Sequence, residues 1–280
     1  MSKSLFGKIV LFVASIIWGL AFVFQRKATG DLGTFTINGT RFLLGALVIS
    51  PFLFIKRNYD IKEAIKGGLV TGFFLFLATN CQQYALIKAN SGHAGFITAQ
   101  YIILVPIFNF LFFHKRISRN VIIALIMSFF GLYLICGLSD LNFDFNDFFL
   151  IACAGLFSFQ IIYIDIYSTK VEPVILSFFQ FLVAGLTSMV MAFFFDTISL
   201  EALSNSMVSI LYLGVMSTGL AYTFQTVGQR DVEPTVASII MSLESAFSLL
   251  FGFLVLHEVT GPKELLGCLV MFIAVILAQL

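Results

Sequence analysis

The most informative ionisable residue of the chain is Glu244, which lies within the otherwise apolar and small-residue segment IIMSLESAFSLLFGF, residues 239–253. In a membrane-spanning helix an ionisable group is costly, and it usually faces a bundle interior or a water-filled cavity. A carboxyl group there can take up a proton from one side of the membrane and release it to the other, or it can orient a substrate amine. The structural alternative is a neutral acid that hydrogen-bonds to neighbouring backbone and holds helices together.

A second charged group, Arg41, lies within a long apolar stretch, about seven residues or about 10 Å from the predicted outer end of its helix. Its guanidinium can attract a substrate carboxylate, which makes it a candidate substrate-binding residue. The interpretation that the sequence favours is structural. The side chain then extends to the membrane interface, or it pairs with an acid such as Asp31.

Uncharged polar residues concentrate near the middle of the apolar segments. Amides and phenols bind polar substrates without fixing a charge, and a few of them among aromatic walls are typical of a small-molecule pocket. Each amide alone is more often an interhelical hydrogen-bonding residue, but together they favour a polar cavity. The complete set of candidate substrate-binding residues is Trp18, Arg41, Gln82, Gln83, Gln100, Tyr101, Gln160, Gln225 and Glu244.

The composition indicates the surroundings of these groups. Hydrophobic residues make up 59% of the chain and charged residues 11%, against roughly 45–50% and about 25% in an ordinary soluble domain. The chain is therefore predicted to be an integral membrane protein. A net charge of +1 argues against nucleic acid as a partner, because no basic stripe is present to neutralise phosphates. The four cysteines lie singly, and we expect neither a metal nor another cofactor.

Apolar segments of about 20 residues, the length that crosses a bilayer, recur along the whole chain. We expect the first of them to be retained as a helix and not cleaved as a signal peptide, because it exceeds the usual signal core of about 7–15 residues. Ten crossings are predicted, at residues 8–27, 34–55, 67–87, 92–113, 119–138, 147–168, 173–195, 206–228, 234–256 and 262–280.

The distribution of Lys and Arg near the segment ends predicts the orientation, because cytoplasmic loops carry an excess of these residues. With the N-terminus inside, the outer side holds Arg26, Lys27, Lys88 and Lys263. The cytoplasmic side then holds Lys3, Lys8, Lys56, Arg57, Lys62, Lys66, Lys115, Arg116, Arg119, Lys170 and Arg230. This asymmetry places both termini in the cytoplasm.

The chain resembles itself at two offsets. RFLLGAL (41–47) resembles QFLVAGL (180–186) at an offset of 139 residues, and at an offset of 143 Gln82 meets Gln225 and Tyr101 meets Glu244. A repeat of five crossings is odd-numbered, so the second copy enters the membrane from the opposite side. The predicted fold is an all-α membrane protein of two inverted five-helix repeats, 1–140 and 141–280, around a central cavity, as in many secondary transporters. Duplication kept for stability alone is the alternative.

Several motifs resemble those of a known family. They are WGLAFVFQRKA (18–28), TRFLLGALVISP (40–51), NCQQYALIKANSGHAGFITAQYIILVP (80–106), STGLAYTFQTVGQRDVEPTVASIIMSLESAFSLLFGFLVLHE (217–258) and the terminal LLGCLVMFIAVILA. The combination is similar to the EamA-like transporters of the drug/metabolite transporter superfamily. The resemblance implies a bacterial inner-membrane carrier for small metabolites, often an exporter of amino acids or related compounds, that works by alternating access. LESA stands where the family commonly has Glu-Pro, which predicts a ninth helix without the expected kink.

Several functions remain open on these residues. The chain has no phosphate-binding glycine loop followed by Lys and Ser/Thr, so a carrier must use a proton gradient or a substrate gradient. The expected partners are a small-molecule substrate, protons if Glu244 couples to them, and the lipid bilayer. Flipping of a lipid or polyisoprenoid carrier competes with metabolite export, and a membrane-embedded enzyme is a weaker alternative. Gly68 and Gly72 are spaced for close helix contact, within a monomer or in a homodimer.

Overall fold

The computed structural model describes residues 2–55, 59–88, 91–114, 117–135, 145–256 and 261–278. In these ranges the chain is helical and contains no strand. Four of the basic residues that predict the orientation, Lys56, Arg57, Lys115 and Arg116, lie outside the described residues.

The helices follow one another through short connections. In chain order they are α1 (Lys3–Thr29), α2 (Thr34–Ile49, continued by Pro51–Ile55), α3 (Ile61–Ala85), α4 (Ser91–Thr98 and Tyr101–Phe113), α5 (Arg119–Ile135), α6 (Phe145–Ser168), α7 (Pro173–Phe195), α8 (Met207–Gln229), α9 (Pro234–Met241 and Leu243–Leu256) and α10 (Pro262–Leu277), with a short helix, Leu200–Asn205, before α8.

Seven of these helices are long and apolar enough to cross a membrane: α1, α2, α3, α6, α7, α8 and α9. The longer part of α4 has 13 residues, α5 has 17 and α10 has 16 in the described part of the chain. Each is shorter than the 18 residues required of a candidate span. Seven of the ten predicted crossings therefore correspond to candidate spans, and the other three stay a prediction.

The first turn of α2 is capped by a residue from another helix. Gly33, the residue before α2, has no side chain to cap it, so the helix begins with unsatisfied backbone N–H groups. The carboxylate of Asp196, just after α7, accepts hydrogen bonds from Thr36 N at 2.7 Å and from Thr36 Oγ1 at 2.9 Å. Gly33 is required here because a Cβ atom would lie 2.2 Å from Cγ of Asp196. The end of α7 is thereby fixed to the start of α2.

The helices pack in a bundle with α2, α3 and α7 in extensive contact. α2 packs along α7, α3 packs against both α6 and α7, and α5 packs against α10. α1 packs against α8 and α9, and α6 packs against α4. Gly68 and Gly72 of α3 face α7, where added Cβ atoms would lie 2.2 Å from Phe179 Cβ and 2.7 Å from Gln180 O. The close contact made by this glycine pair is therefore intramolecular.

Substitution of Gly68 tests this close approach. Gly68→Ala is expected to lower the free energy of unfolding by about 1–3 kcal/mol, because overpacking displaces neighbouring side chains and backbone. Gly155→Ala in α6 is the matched control, since a Cβ atom there meets nothing within 4 Å and alanine favours a helix over glycine. The thermal unfolding temperature of each purified variant in detergent measures the difference. Equal temperatures for the two variants would contradict the packing.

Two helices are interrupted near their middle. α4 is interrupted at Ala99 and Gln100, and α9 at Ser242. The prediction of a ninth helix without a kink is wrong, because α9 breaks without a proline. The hydroxyl of Ser242 donates to Ile239 O at 2.8 Å, and such side-chain bonds to backbone compete with regular helix geometry. The interruptions fall directly before Tyr101 and within two residues of Glu244.

α8 contains a long π-helical segment, Tyr212–Tyr222, followed by α-helix from Thr223 to Gln229. Segments of this kind are rare and occur mostly at functional sites. Two long-range hydrogen bonds join the segment to α1. The indole of Trp18 donates to Ser217 O at 3.2 Å, and the phenol of Tyr212 donates to Ile17 O at 2.9 Å. The middle of α8 is therefore held against the middle of α1.

Candidate functional site

A cavity lies between the two halves of the chain, near the interruptions of α4 and α9. Six of the nine predicted site residues line it: Trp18, Arg41, Gln82, Tyr101, Gln225 and Glu244. Its volume, measured at the centres of the water molecules that fit inside, is about 40 Å³. One water needs about 10–15 Å³ on this measure, so the cavity has room for a few waters. An organic metabolite needs more space, and binding one requires the surrounding helices to move apart.

The carboxyl group of Glu244 is 8% exposed and faces this cavity. The phenol of Tyr101 donates a hydrogen bond to its Oε1 atom at 3.1 Å. Among the described residues, no basic side chain forms an ion pair with Glu244. The group is therefore bonded to a neutral partner on another helix and has no internal counter-ion there.

The structure contradicts the favoured interpretation of Arg41. The side chain is only 2% exposed, and its guanidinium carbon lies 4.8 Å from the centroid of the Phe42 ring. It does not reach the membrane interface, and it does not pair with Asp31, which accepts a hydrogen bond from Ser206 Oγ at 3.0 Å. In the described part of the chain, Nε and Nη2 of Arg41 have no hydrogen-bond partner.

The face of α2 that carries Arg41 explains this burial. Residues three or four apart share one face of a helix, and Asn38 and Gly45 flank Arg41 on its face. Asn38 donates to Asn80 Oδ1 of α3 at 3.0 Å. A Cβ atom on Gly45 would lie 2.4 Å from the Thr218 side chain of α8. Because both neighbours are in close contact with other helices, the arginine side chain is enclosed with them.

Aromatic side chains form part of the cavity wall. The rings of Trp18 and Tyr222 lie 4.8 Å apart, and the rings of Tyr101 and Phe157 lie 6.4 Å apart. All four residues line the cavity. The placement of Trp18 agrees with the predicted pocket wall. Aromatic faces of this kind suit the apolar part of a small molecule.

Three of the predicted amide residues do not line the cavity. Gln160 lies behind Gln225, with which it exchanges two hydrogen bonds of 3.1 and 3.4 Å. Gln83 donates to Thr29 Oγ1 at 2.8 Å, and Gln100 lies at the interruption of α4. These residues join or shape helices around the cavity. Their role in substrate binding stays a prediction without a direct contact.

The sequence profile described as the EamA-like transporter family matches residues 5–137 and again residues 145–280. The chain belongs to this family. A protein of Archaeoglobus fulgidus named an uncharacterized transporter is 28% identical over 278 residues, covering 99% of this chain and 87% of that protein. The uncharacterized transporter YoaV of Bacillus subtilis is 22% identical and covers 94% of this chain and 93% of its own length.

A solved crystal structure, titled only as that of a protein, shares the fold. It superposes with a TM-score of 0.81 and covers 98% of this chain and 96% of its own. The two sequences are 15% identical, so the likeness concerns the fold alone.

Some lining residues of this EamA-like transporter were missed in the sequence. They include Gln25, Phe22, Phe157, Ser217, Tyr222 and Met241. Gln25 precedes Arg26 and Lys27 near a helix end, which indicated an interfacial position. A signal was nevertheless present, because Trp18, Phe22 and Gln25 share one helical face at the spacing i, i+4 and i+7.

Proposed function

We propose that this chain is a secondary active transporter of the bacterial inner membrane that moves a small metabolite, an amino acid or a related compound, in the direction of export. Membership of a transporter family and the names of the two relatives support this class. The observation that carries the proposal is the central cavity, which brings an acid, an arginine and amides from several helices together in the apolar bundle. Its polar lining suits a water-soluble substrate better than a lipid.

Two inverted halves of five crossings each, residues 1–140 and 141–280, form part of the proposal. The family profile matches the chain twice, which supports a duplication. The cavity is lined by pairs of residues at the two repeat offsets: Trp18 with Phe157 and Phe22 with Ile161 at 139, and Gln82 with Gln225 and Tyr101 with Glu244 at 143. A cavity on a two-fold axis between inverted repeats is expected to show such pairs.

The helix contacts support the same symmetry. α1 of the first half packs against α8 and α9, and α6 of the second half packs against α3 and α4. Each half thus places its first helix against the third and fourth helices of the other. α4 and α9 are also interrupted at Ala99 and Ser242, which are 143 residues apart. Discontinuous helices around a central site are typical of inverted-repeat transporters.

Alternating access follows from the size of the cavity. In the present conformation the space holds a few waters, so one set of helices must open toward each side of the membrane in turn. Glu244 exchanges a proton or binds a substrate amine during this cycle, and Arg41 binds a substrate carboxylate. The excess of basic residues on one side of the predicted crossings supports an orientation with both termini in the cytoplasm.

Transport by the purified chain in proteoliposomes tests the proposal. Vesicles are assayed with radiolabelled amino acids, nucleosides and cationic drugs at two pH gradients. We expect saturable flux of at least one small metabolite, and a flux that changes with the pH gradient. Transfer of a fluorescent lipid between leaflets without metabolite flux would favour a flippase. Absence of saturable flux with every compound would contradict transport of these classes.

A further inference from the structure

Three residues that line the cavity have hydrogen-bonding groups that the protein does not use. The side-chain amides of Gln25 and Gln82 form no hydrogen bond within the described part of the chain, although the two residues are only 3% and 7% exposed. Arg41 lacks partners for Nε and Nη2. Buried polar groups are normally hydrogen-bonded, so this cluster is incomplete without a ligand.

The three residues lie at the same end of the bundle, where α1 and α3 end and α2 begins. Thr29 Oγ1 donates to the backbone carbonyl of Gln25 at 2.8 Å and accepts from Gln83 at 2.8 Å. These bonds connect Gln25 of α1 to the residue after Gln82 in α3. The helices that carry two of the three side chains are thereby joined beside the cavity.

α2 is joined to α3 in the same region. Asn38, three residues before Arg41, donates to Thr79 O at 3.1 Å and to Asn80 Oδ1 at 3.0 Å. Thr79 lies three residues before Gln82. The cluster is thus supported by a surrounding set of hydrogen bonds, which is the arrangement that fixes binding groups in a defined geometry.

We propose that Gln25, Arg41 and Gln82 form an oxyanion subsite that binds the carboxylate group of a small organic substrate, with Gln25 as a residue that determines specificity. A guanidinium matches the two oxygens of a carboxylate, and amide N–H groups supply further donors. An uncompensated buried cation is strongly unfavourable, so a bound anion compensates it. This inference rests on the proposed transport function.

The corresponding positions of the second half do not form such a subsite. At an offset of 139 residues, Gln25 corresponds to Ile164 and Arg41 to Gln180. Gln180 already donates to Thr226 Oγ1 at 3.4 Å, and Gln225, the mate of Gln82, is bonded to Gln160. The unused donors therefore belong to the first half alone, and Glu244 contributes the acidic group from the second half.

The fluorescence of Trp18, the only tryptophan of the chain, measures binding in the cavity directly. Purified full-length protein in detergent is titrated with phenylalanine, leucine and lysine, and with the decarboxylated amine of each. We expect the carboxylate member of at least one pair to bind at least about tenfold more tightly, since hydrogen bonds to a charged group have about this strength. Absence of any carboxylate preference would overturn the subsite.

Two variants of Gln25 test its role. Gln25→Glu supplies Arg41 with an internal counter-ion and repels a carboxylate, so carboxylate binding is expected to weaken at least about tenfold while amine binding is retained. Gln25→Leu removes the amide without adding charge and is expected to weaken carboxylate binding alone. Asn120→Asp, the same change from amide to acid at an exposed residue of α5, is expected to bind as the unmodified chain does.

Unchanged carboxylate affinity in both Gln25 variants would overturn the proposal. The proteoliposome assay separates this result from a failure of the proposed function. Flux of compounds without any carboxylate preference would keep transport and overturn the subsite. Carboxylate binding that depends on Gln25, without flux of any bound compound, would support the subsite and contradict transport.

Discussion

Replacing Glu244 with glutamine is expected to reduce transport about 100-fold, equivalent to about 2.7 kcal/mol, and to abolish the dependence of the remaining flux on pH. Glutamine keeps an oxygen that can accept the hydrogen bond from Tyr101, so the contact between α4 and α9 is retained. It cannot gain or lose a proton, and it does not attract an amine as a carboxylate does. The measurement is the initial rate of uptake into proteoliposomes across a series of pH values.

Glu201→Gln is the matched control, because Glu201 is exposed in the short helix before α8. This variant is expected to transport as the unmodified chain does. A Glu244→Gln variant with reduced flux but unchanged pH dependence would assign substrate orientation to Glu244 and not proton coupling. Unchanged flux together with unchanged pH dependence would exclude both roles.

Replacing Arg41 with methionine is expected to abolish flux of carboxylate substrates without destabilising the protein. Arg41 is buried and has no acid partner among the described residues, so its charge is uncompensated in the empty cavity. Removing an unsatisfied buried polar group is worth about 1–3 kcal/mol. A change of 1 kcal/mol shifts the unfolding temperature by roughly 2–4 °C in a chain somewhat smaller than this one. The unfolding temperature is therefore expected to rise by a few degrees.

Thermal unfolding in detergent and uptake in proteoliposomes are measured on the same preparations. Arg41→Lys is the companion variant, because it keeps the charge but loses the planar pair of donors that matches a carboxylate. It is expected to lose carboxylate flux without the gain in stability. A large fall in the unfolding temperature of Arg41→Met would instead show that the arginine holds the bundle together.

Hydropathy along the chain was sufficient for the elements that lie lengthwise in the membrane. Seven of the predicted crossings correspond to long apolar helices, and α7 begins at Pro173 and α9 at Pro234, where a proline suits the first turn. The depth of Glu244 also followed from counting residues along its helix. Each of these inferences uses only position along a helix axis, which sequence spacing determines directly.

The rotation of each helix about its axis was harder to predict. Gln82 and Gln83 are adjacent in sequence, yet Gln82 lines the cavity and Gln83 bonds to α1. Arg41 was expected to reach the interface because its depth allowed it, and the contacts of Asn38 and Gly45 enclose it instead. Successive residues of a helix point about 100° apart, so polarity alone does not tell which of them faces a cavity.

By itself, the sequence determined that this chain is a helical membrane protein of the EamA-like kind with an acid deep inside it, because apolar length and residue spacing act along each helix. Only the tertiary structure decided that Gln25, Arg41 and Gln82 come together with unused donors, and that α9 breaks beside Glu244 without a proline. The physical reason is that these features depend on contacts between helices remote in sequence, where close packing at residues such as Gly45 and Gly68 fixes which faces meet.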